Sequence, residues 1–215
     1  MSRKLVYISV FITLLSETLA LNAQNLSNIP KTELIKLMVD SFENQICNYY
    51  SINKENSSEA FFKYVNDFNS NKININDLTS KEELELLKIS NETLKKYIWV
   101  TDKEKFERFI KNTEEKEQIQ ITEIKDERGS SEPLYTNKLG VNYFDEYSGK
   151  LLKETKVNDL KEVLTTLRDM PDTSPQSSAF AFTYINKENY KDPSLKTFIA
   201  FELYYTVLNT LNKNE

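Results

Sequence analysis

The 215-residue chain contains no histidine. That absence removes the commonest general base and metal ligand, and every Ser-His or Cys-His nucleophile pair. There is one cysteine, Cys47, so no disulfide can close within the chain and no thiolate zinc site can be assembled. Glycine occurs three times, at Gly129, Gly140 and Gly149, and there is no glycine-rich phosphate loop. One apolar run of any length exists, Leu5–Leu15, and it is too short to cross a bilayer.

That run carries the strongest signal in the chain. Arg3 and Lys4 precede it, and small and polar residues follow up to Leu21-Asn22-Ala23-Gln24. Positive charge, short apolar run and small-residue exit, in that order, read as a secretory signal peptide over 1–23. A flexible leader over 24–30 and a single mainly helical domain over 31–215 are expected to follow. About 190 residues are enough for one sizeable core. The expected compartment is periplasmic or secreted, and an exported chain without disulfides fits a bacterial periplasm or surface best.

Cleavage removes Arg3, Lys4 and Glu17, leaving the mature chain one unit more negative than the −5 of the full sequence. An acidic chain lacks the concentrated basic surface that phosphate binding requires, which argues against a nucleic-acid partner. It equally argues against adsorption on an anionic membrane face.

Apolar periodicity sets the fold class. Leu34, Ile35, Met38, Phe42, Ile46 and Tyr49 recur at three- and four-residue steps, predicting a helix over 32–50 with Cys47 at the core's edge. Ser57-Ser58 can cap a second helix. Thr79-x-x-Glu82 or Ser80-x-x-Glu83 can open a third, reaching Ile98 and Trp99, and Thr101-x-x-Glu104 a fourth that turns wholly charged at 114–117. Asp159-x-x-Glu162 opens a helix that Pro171 stops. Ser174-Pro175 and Asp192-Pro193 open two more, although Phe180–Tyr184 also alternates like a strand. The last helix is apolar on most faces and is expected at the centre of the core. Within 119–150, Ile119 and Ile121 alternate as a short strand, and Val141, Tyr143 and Ser148-Gly149 read as a hairpin or an irregular connection. The fold class expected is mainly α, a helical bundle or helical-hairpin stack with a small irregular or β insertion around 119–150. The pentapeptide Ile52–Asn56 recurs as Ile185–Asn189, with no fixed period around it.

Two stretches carry chemistry-bearing residues. Asp67, Asn69, Asn71 and Asp77 place oxygen side chains at alternate positions with an acid near the end. They resemble a calcium loop of the EF-hand or dockerin kind, one residue short and with Lys72 where that pattern has glycine. The stretch reads either as that weak metal site or as an Asn-rich helix connector, and no cofactor is expected. Asp145 and Glu146 stand among Tyr143, Phe144 and Tyr147. Aromatic neighbours can stack sugars and raise an acid's pKa, so this pair is the candidate for carboxylate catalysis. With Tyr135, the same aromatics are candidate contacts of an exposed binding loop.

The function expected from these readings is non-catalytic binding of another protein, with an immunity-type inhibitor of a secreted toxin as one concrete form. A carboxylate-dependent glycan or cell-wall hydrolase is the alternative. A pocket with two facing acids would favour the enzyme, and a broad exposed apolar or acidic patch the binder.

Overall fold

The structure is a computed structural model that describes residues 29–114 and 138–212. Residues 1–28, on which the expected signal peptide and most of the expected leader fall, the charged run at 115–117, the Ile119/Ile121 alternation and Tyr135 lie outside the described residues.

Helix α1 (Lys31–Tyr49) buries Leu34, Met38, Phe42 and Ile46 of the stripe its periodicity predicts; Cys47 is buried with them, Ile35 is half-buried, and Tyr49, expected in the stripe, is exposed because the helix ends there. It ends in a Schellman turn: the Ile52 N–H donates to the Cys47 carbonyl (2.8 Å) and the Ser51 N–H to Asn48 (3.1 Å), with Ser51 at φ 54°. Helix α2 (Ser57–Asn69) ends the same way. The Lys72 N–H donates to Asp67 (2.8 Å), the Asn71 N–H donates to Phe68 (3.1 Å), and Asn71 sits at φ 54°. In a chain with three glycines, left-handed cap positions that favour glycine fall to serine and asparagine. The two copies of Ile-Asn-Lys-Glu-Asn each enter a 3₁₀ turn, Lys54–Asn56 and Lys187–Lys191. The repeat is therefore one of local conformation.

After a single turn, α3 (Ile75–Leu78), Ser80 and Glu83 close a reciprocal capping box that opens α4 (Lys81–Thr93). The expectation that this helix reaches Ile98 and Trp99 is corrected. Leu94 caps it, Lys96 turns at φ 64°, and the Lys96 N–H donates to the Trp99 carbonyl (2.8 Å). Trp99 thus enters a strand, β1 (Trp99–Thr101), which pairs antiparallel with β2 (Leu139–Val141), Trp99 opposite Val141. The small sheet therefore takes one strand from the expected insertion and the other from before it. Thr101 and Glu104 form a second capping box, which opens α5 (Asp102–Glu114).

Ser148 and Gly149 belong to helix α6 (Glu146–Glu154) and not to a hairpin, because the chain turns helical directly after Asp145. Helix α7 (Asn158–Asp169) stops two residues before Pro171; Asp159 lies in its first turn instead of capping it. Ser174 caps α8 (Pro175–Phe182), accepting from the Ser177 N–H, so the alternation at Phe180–Tyr184 is the end of a helix and the turn that follows it, and not a strand. Asp192 caps α9 (Pro193–Ile199), which continues into a π-helical turn (Ala200–Tyr205) and then α10 (Thr206–Asn212).

The run 193–212 is the structural axis. Every position from Phe198 to Thr206 is buried. Tyr204 stacks on Phe42 of α1 (4.7 Å), Phe201 meets Trp99 of β1 (5.6 Å), and the Tyr205 hydroxyl donates to the Met38 carbonyl (2.8 Å). The fold is mainly α with a two-stranded sheet, as the pattern implies. Among the described residues no helix is long and apolar enough to cross a membrane.

Candidate functional site

The acid pair singled out from the sequence lies at the surface. Asp145 is the N-cap residue of α6. Its carboxylate pairs with Arg108 of α5 and accepts from the Asn142 side-chain amide (2.8 Å). Glu146 is exposed in the first helical turn. Their aromatic neighbours turn inward. Tyr143 and Tyr147 are 1% and 2% exposed, and Phe144 is half-buried. Tyr147 packs its ring against Phe201 (5.9 Å) and Tyr143 reaches Glu202. The aromatic spacing that suggested an exposed loop is the inner face of a helix start, so these tyrosines serve the core. Tyr135 lies outside the described residues.

The calcium-like stretch is the helix end already described. Asn71 takes the left-handed cap position, the Asp67 carboxylate accepts from the Tyr50 hydroxyl (2.9 Å), and the Asn69 carbonyl accepts from Gln176 (2.8 Å). Asp77 lies apart in α3. Among the described residues no three His, Cys, Asp or Glu gather as metal ligands would.

Among the described residues three glutamates are buried, two of them almost completely. Glu83 is 0% exposed. It accepts from the Ser80 N–H (3.0 Å), the Tyr204 hydroxyl (2.9 Å) and Ser41 (3.4 Å). Glu202 is 1% exposed, in the π-helical turn. It accepts from the Tyr143 hydroxyl (2.8 Å) and from Ser178 (2.9 Å). Burial raises both carboxyls above their ordinary value. For Glu202, the charge of Lys105 and the two hydroxyl donors act in the opposite sense. The contrast is Glu43 on α1. Burial would raise it, but the Lys196 ammonium at 2.7 Å, with Ser57 and Lys54, holds it low.

Lys105 of α5 is the third unexpected group. It is 7% exposed, and its ammonium lies 4.9 Å from the centroid of the Tyr143 ring, whose hydroxyl meets Glu202. Among the described residues no hydrogen bond or ion pair reaches it. It is seated against Gly140 of β2, where a Cβ atom would lie 2.5 Å from the ammonium nitrogen. Lys105 and Gly140 line a concavity of about 580 Å³ between α5, β2, the start of α8 and α10. Asp102 and Asp172 line it too.

A smaller groove of about 340 Å³ runs between α7 and α8, lined by Asp159, Glu162, Val163, Ala181 and Tyr184. Beside it stand the most exposed aromatics described. Phe180 is 55% and Tyr184 72% exposed, with rings edge-to-face at 5.1 Å, and Met170 at the end of α7 is 60% exposed.

The missed residues left unequal traces. Glu202 is a lone acid inside Phe201–Tyr205 and the apolar run around it, a pattern that marks a buried charge. Lys105 stands among Lys103, Glu104 and Glu107, where nothing in the pattern separates it from its solvated neighbours. Comparison with protein-family models, with curated proteins and with solved structures gave no match.

Proposed function

We propose that this chain is an exported, non-catalytic domain, periplasmic or secreted, that binds another protein in the manner of an immunity-type inhibitor. The observation that carries the reading is the exposed face of α7 and α8. Phe180, Tyr184 and Met170 present apolar surface to solvent beside an acidic-rimmed groove. Aromatics are the commonest anchors of protein interfaces, and large ones are rarely left exposed in pairs without a use. Two further points agree: the sequence has no histidine, and both deeply buried glutamates already hold internal hydroxyl partners. The test is affinity capture from the native envelope with the mature chain and with Phe180→Ser/Tyr184→Ser. A partner held by the wild type and released by the double variant is expected. An identical set of captured proteins would place binding elsewhere or nowhere.

One observation favours the second reading, a carboxylate-dependent glycan hydrolase: Asp102 and Asp172 line the same concavity. Release of dye from labelled cell-wall glycan, abolished by Asp172→Asn, would support it over the binder.

A further inference from the structure

We propose that the concavity at Lys105 is a binding site for a small amphiphilic carboxylate, whose charged group sits on the Lys105 ammonium. Lys105 is 7% exposed, its ammonium opens on the concavity, and among the described residues no acceptor lies within hydrogen-bond distance of its three donors. Among the described residues the ammonium has the Tyr143 ring face and the more distant charge of Glu202, and neither accepts a hydrogen bond from it. The seat is nevertheless built for an ammonium, since β2 approaches it through Gly140, the residue whose missing Cβ leaves room for Nζ. An oxyanion entering the concavity would supply the missing acceptors.

The rest of the lining narrows the ligand. Ile73, Leu139 and Val207 give the concavity apolar walls, so an apolar body is accommodated. Asp102 and Asp172 line the same space as Lys105 and Lys138. Those two carboxylates repel a dianion such as phosphate more strongly than a monocarboxylate, so the singly charged group is the better match for Lys105. About 580 Å³ falls within the range of small-molecule sites.

The proposal is tested by calorimetric titration of the full mature chain at low ionic strength with octanoate below its micellar range. Octanol and inorganic phosphate serve as comparison probes. Saturable one-site binding of octanoate is expected, at least tenfold tighter than octanol or phosphate. Lys105→Met should weaken octanoate at least tenfold while leaving octanol unchanged. The charge-balanced pair Lys105→Met/Glu202→Gln keeps the test valid where the single variant fails to fold. Gly140→Ala, which retains the charge but displaces it, should weaken octanoate several-fold. No saturable octanoate binding, phosphate binding as tightly, or a folded Lys105→Met variant or double variant with wild-type affinity would each overturn the assignment.

Discussion

Glu83 and Glu202 are the same residue, equally hidden, in two differently built surroundings. Glu83 closes the start of a helix. A backbone N–H is among its donors, and half of its job is to cap α4. Glu202 lies in the middle of a helical run where backbone donors are committed to the helix, and side-chain hydroxyls from two other elements, Tyr143 and Ser178, solvate it. The first arrangement is anchored locally, by the Ser80 N–H three residues away, although Ser41 and Tyr204 also reach it from two other segments. The second depends on three segments brought together by the whole fold. A buried charge is thus cheap at a helix start and expensive in a helix middle.

The sharpest way to break the comparison is through the residues next door. Leu203 is fully buried whereas Leu84 is 37% exposed. Leu203→Ala should cost about 2–5 kcal/mol, from lost transfer energy and the cavity left behind. Leu84→Ala should stay within about 0.5 kcal/mol. Chemical denaturation of both variants measures this, and equal losses would mean that the C-terminal run is not the axis of the domain.

Removing one donor from each acid gives the next effect. Tyr143→Phe leaves Glu202 with Ser178 alone. Tyr204→Phe leaves Glu83 with a backbone N–H and Ser41. We expect about 2 kcal/mol for the first and about 1 kcal/mol for the second, since hydrogen bonds to charged or chargeable groups are the stronger ones. A reversed order in urea melts would show that Glu83 is the more dependent of the two.

Titration separates them further. Both carboxyls lie above the ordinary value of 4.5, so the folded state holds these protons more firmly than the unfolded chain does. Their effect is therefore to lower stability progressively as pH rises from about 4.5 through the raised value. Glu43 and Glu104 are held low and act oppositely, with stability lost as pH falls below 4.5. The difference between wild type and Glu202→Gln isolates the one group: the variant should lose less stability between pH 5 and pH 8. Parallel curves would mean that Glu202 titrates alike folded and unfolded.

The smallest change falls on the connector between the two surroundings. Lys96 is exposed at φ 64°, and its carbonyl accepts from Asn142. Lys96→Gly relieves the left-handed strain and should stabilise by about 0.5 kcal/mol, net of glycine's greater unfolded freedom. A destabilised variant would show that the side chain, and not the turn, holds this junction.

The contrast also tells what was legible. Ser80-x-x-Glu83 and Thr101-x-x-Glu104 announce their helices because a cap is local chemistry at fixed spacing. The stripes of α1 and the apolar 193–212 announce the core for the same reason. The pairing of Trp99 with Val141 joins residues 42 positions apart and leaves no local trace. Tyr143 and Tyr147 read equally well as a sticky loop or as core, since composition does not say which way a helix start faces. Lys105 is invisible in a charge-rich helix because what singles it out, Gly140 and the Tyr143 ring, comes from another part of the chain.

The π-helical turn at Ala200–Tyr205 has a consequence for chain length. A turn of this kind absorbs one residue more than an α-helical turn while keeping the segments on either side in phase. Deleting a residue inside it would leave Leu195 and Leu208 on their present faces and remove only the inward place for an acid. The same deletion elsewhere in 193–212 would swing everything beyond it by about 100°. Insertions and deletions in this helix are therefore not equivalent: at one turn they decide whether the core carries a charge, and elsewhere they decide whether there is a core.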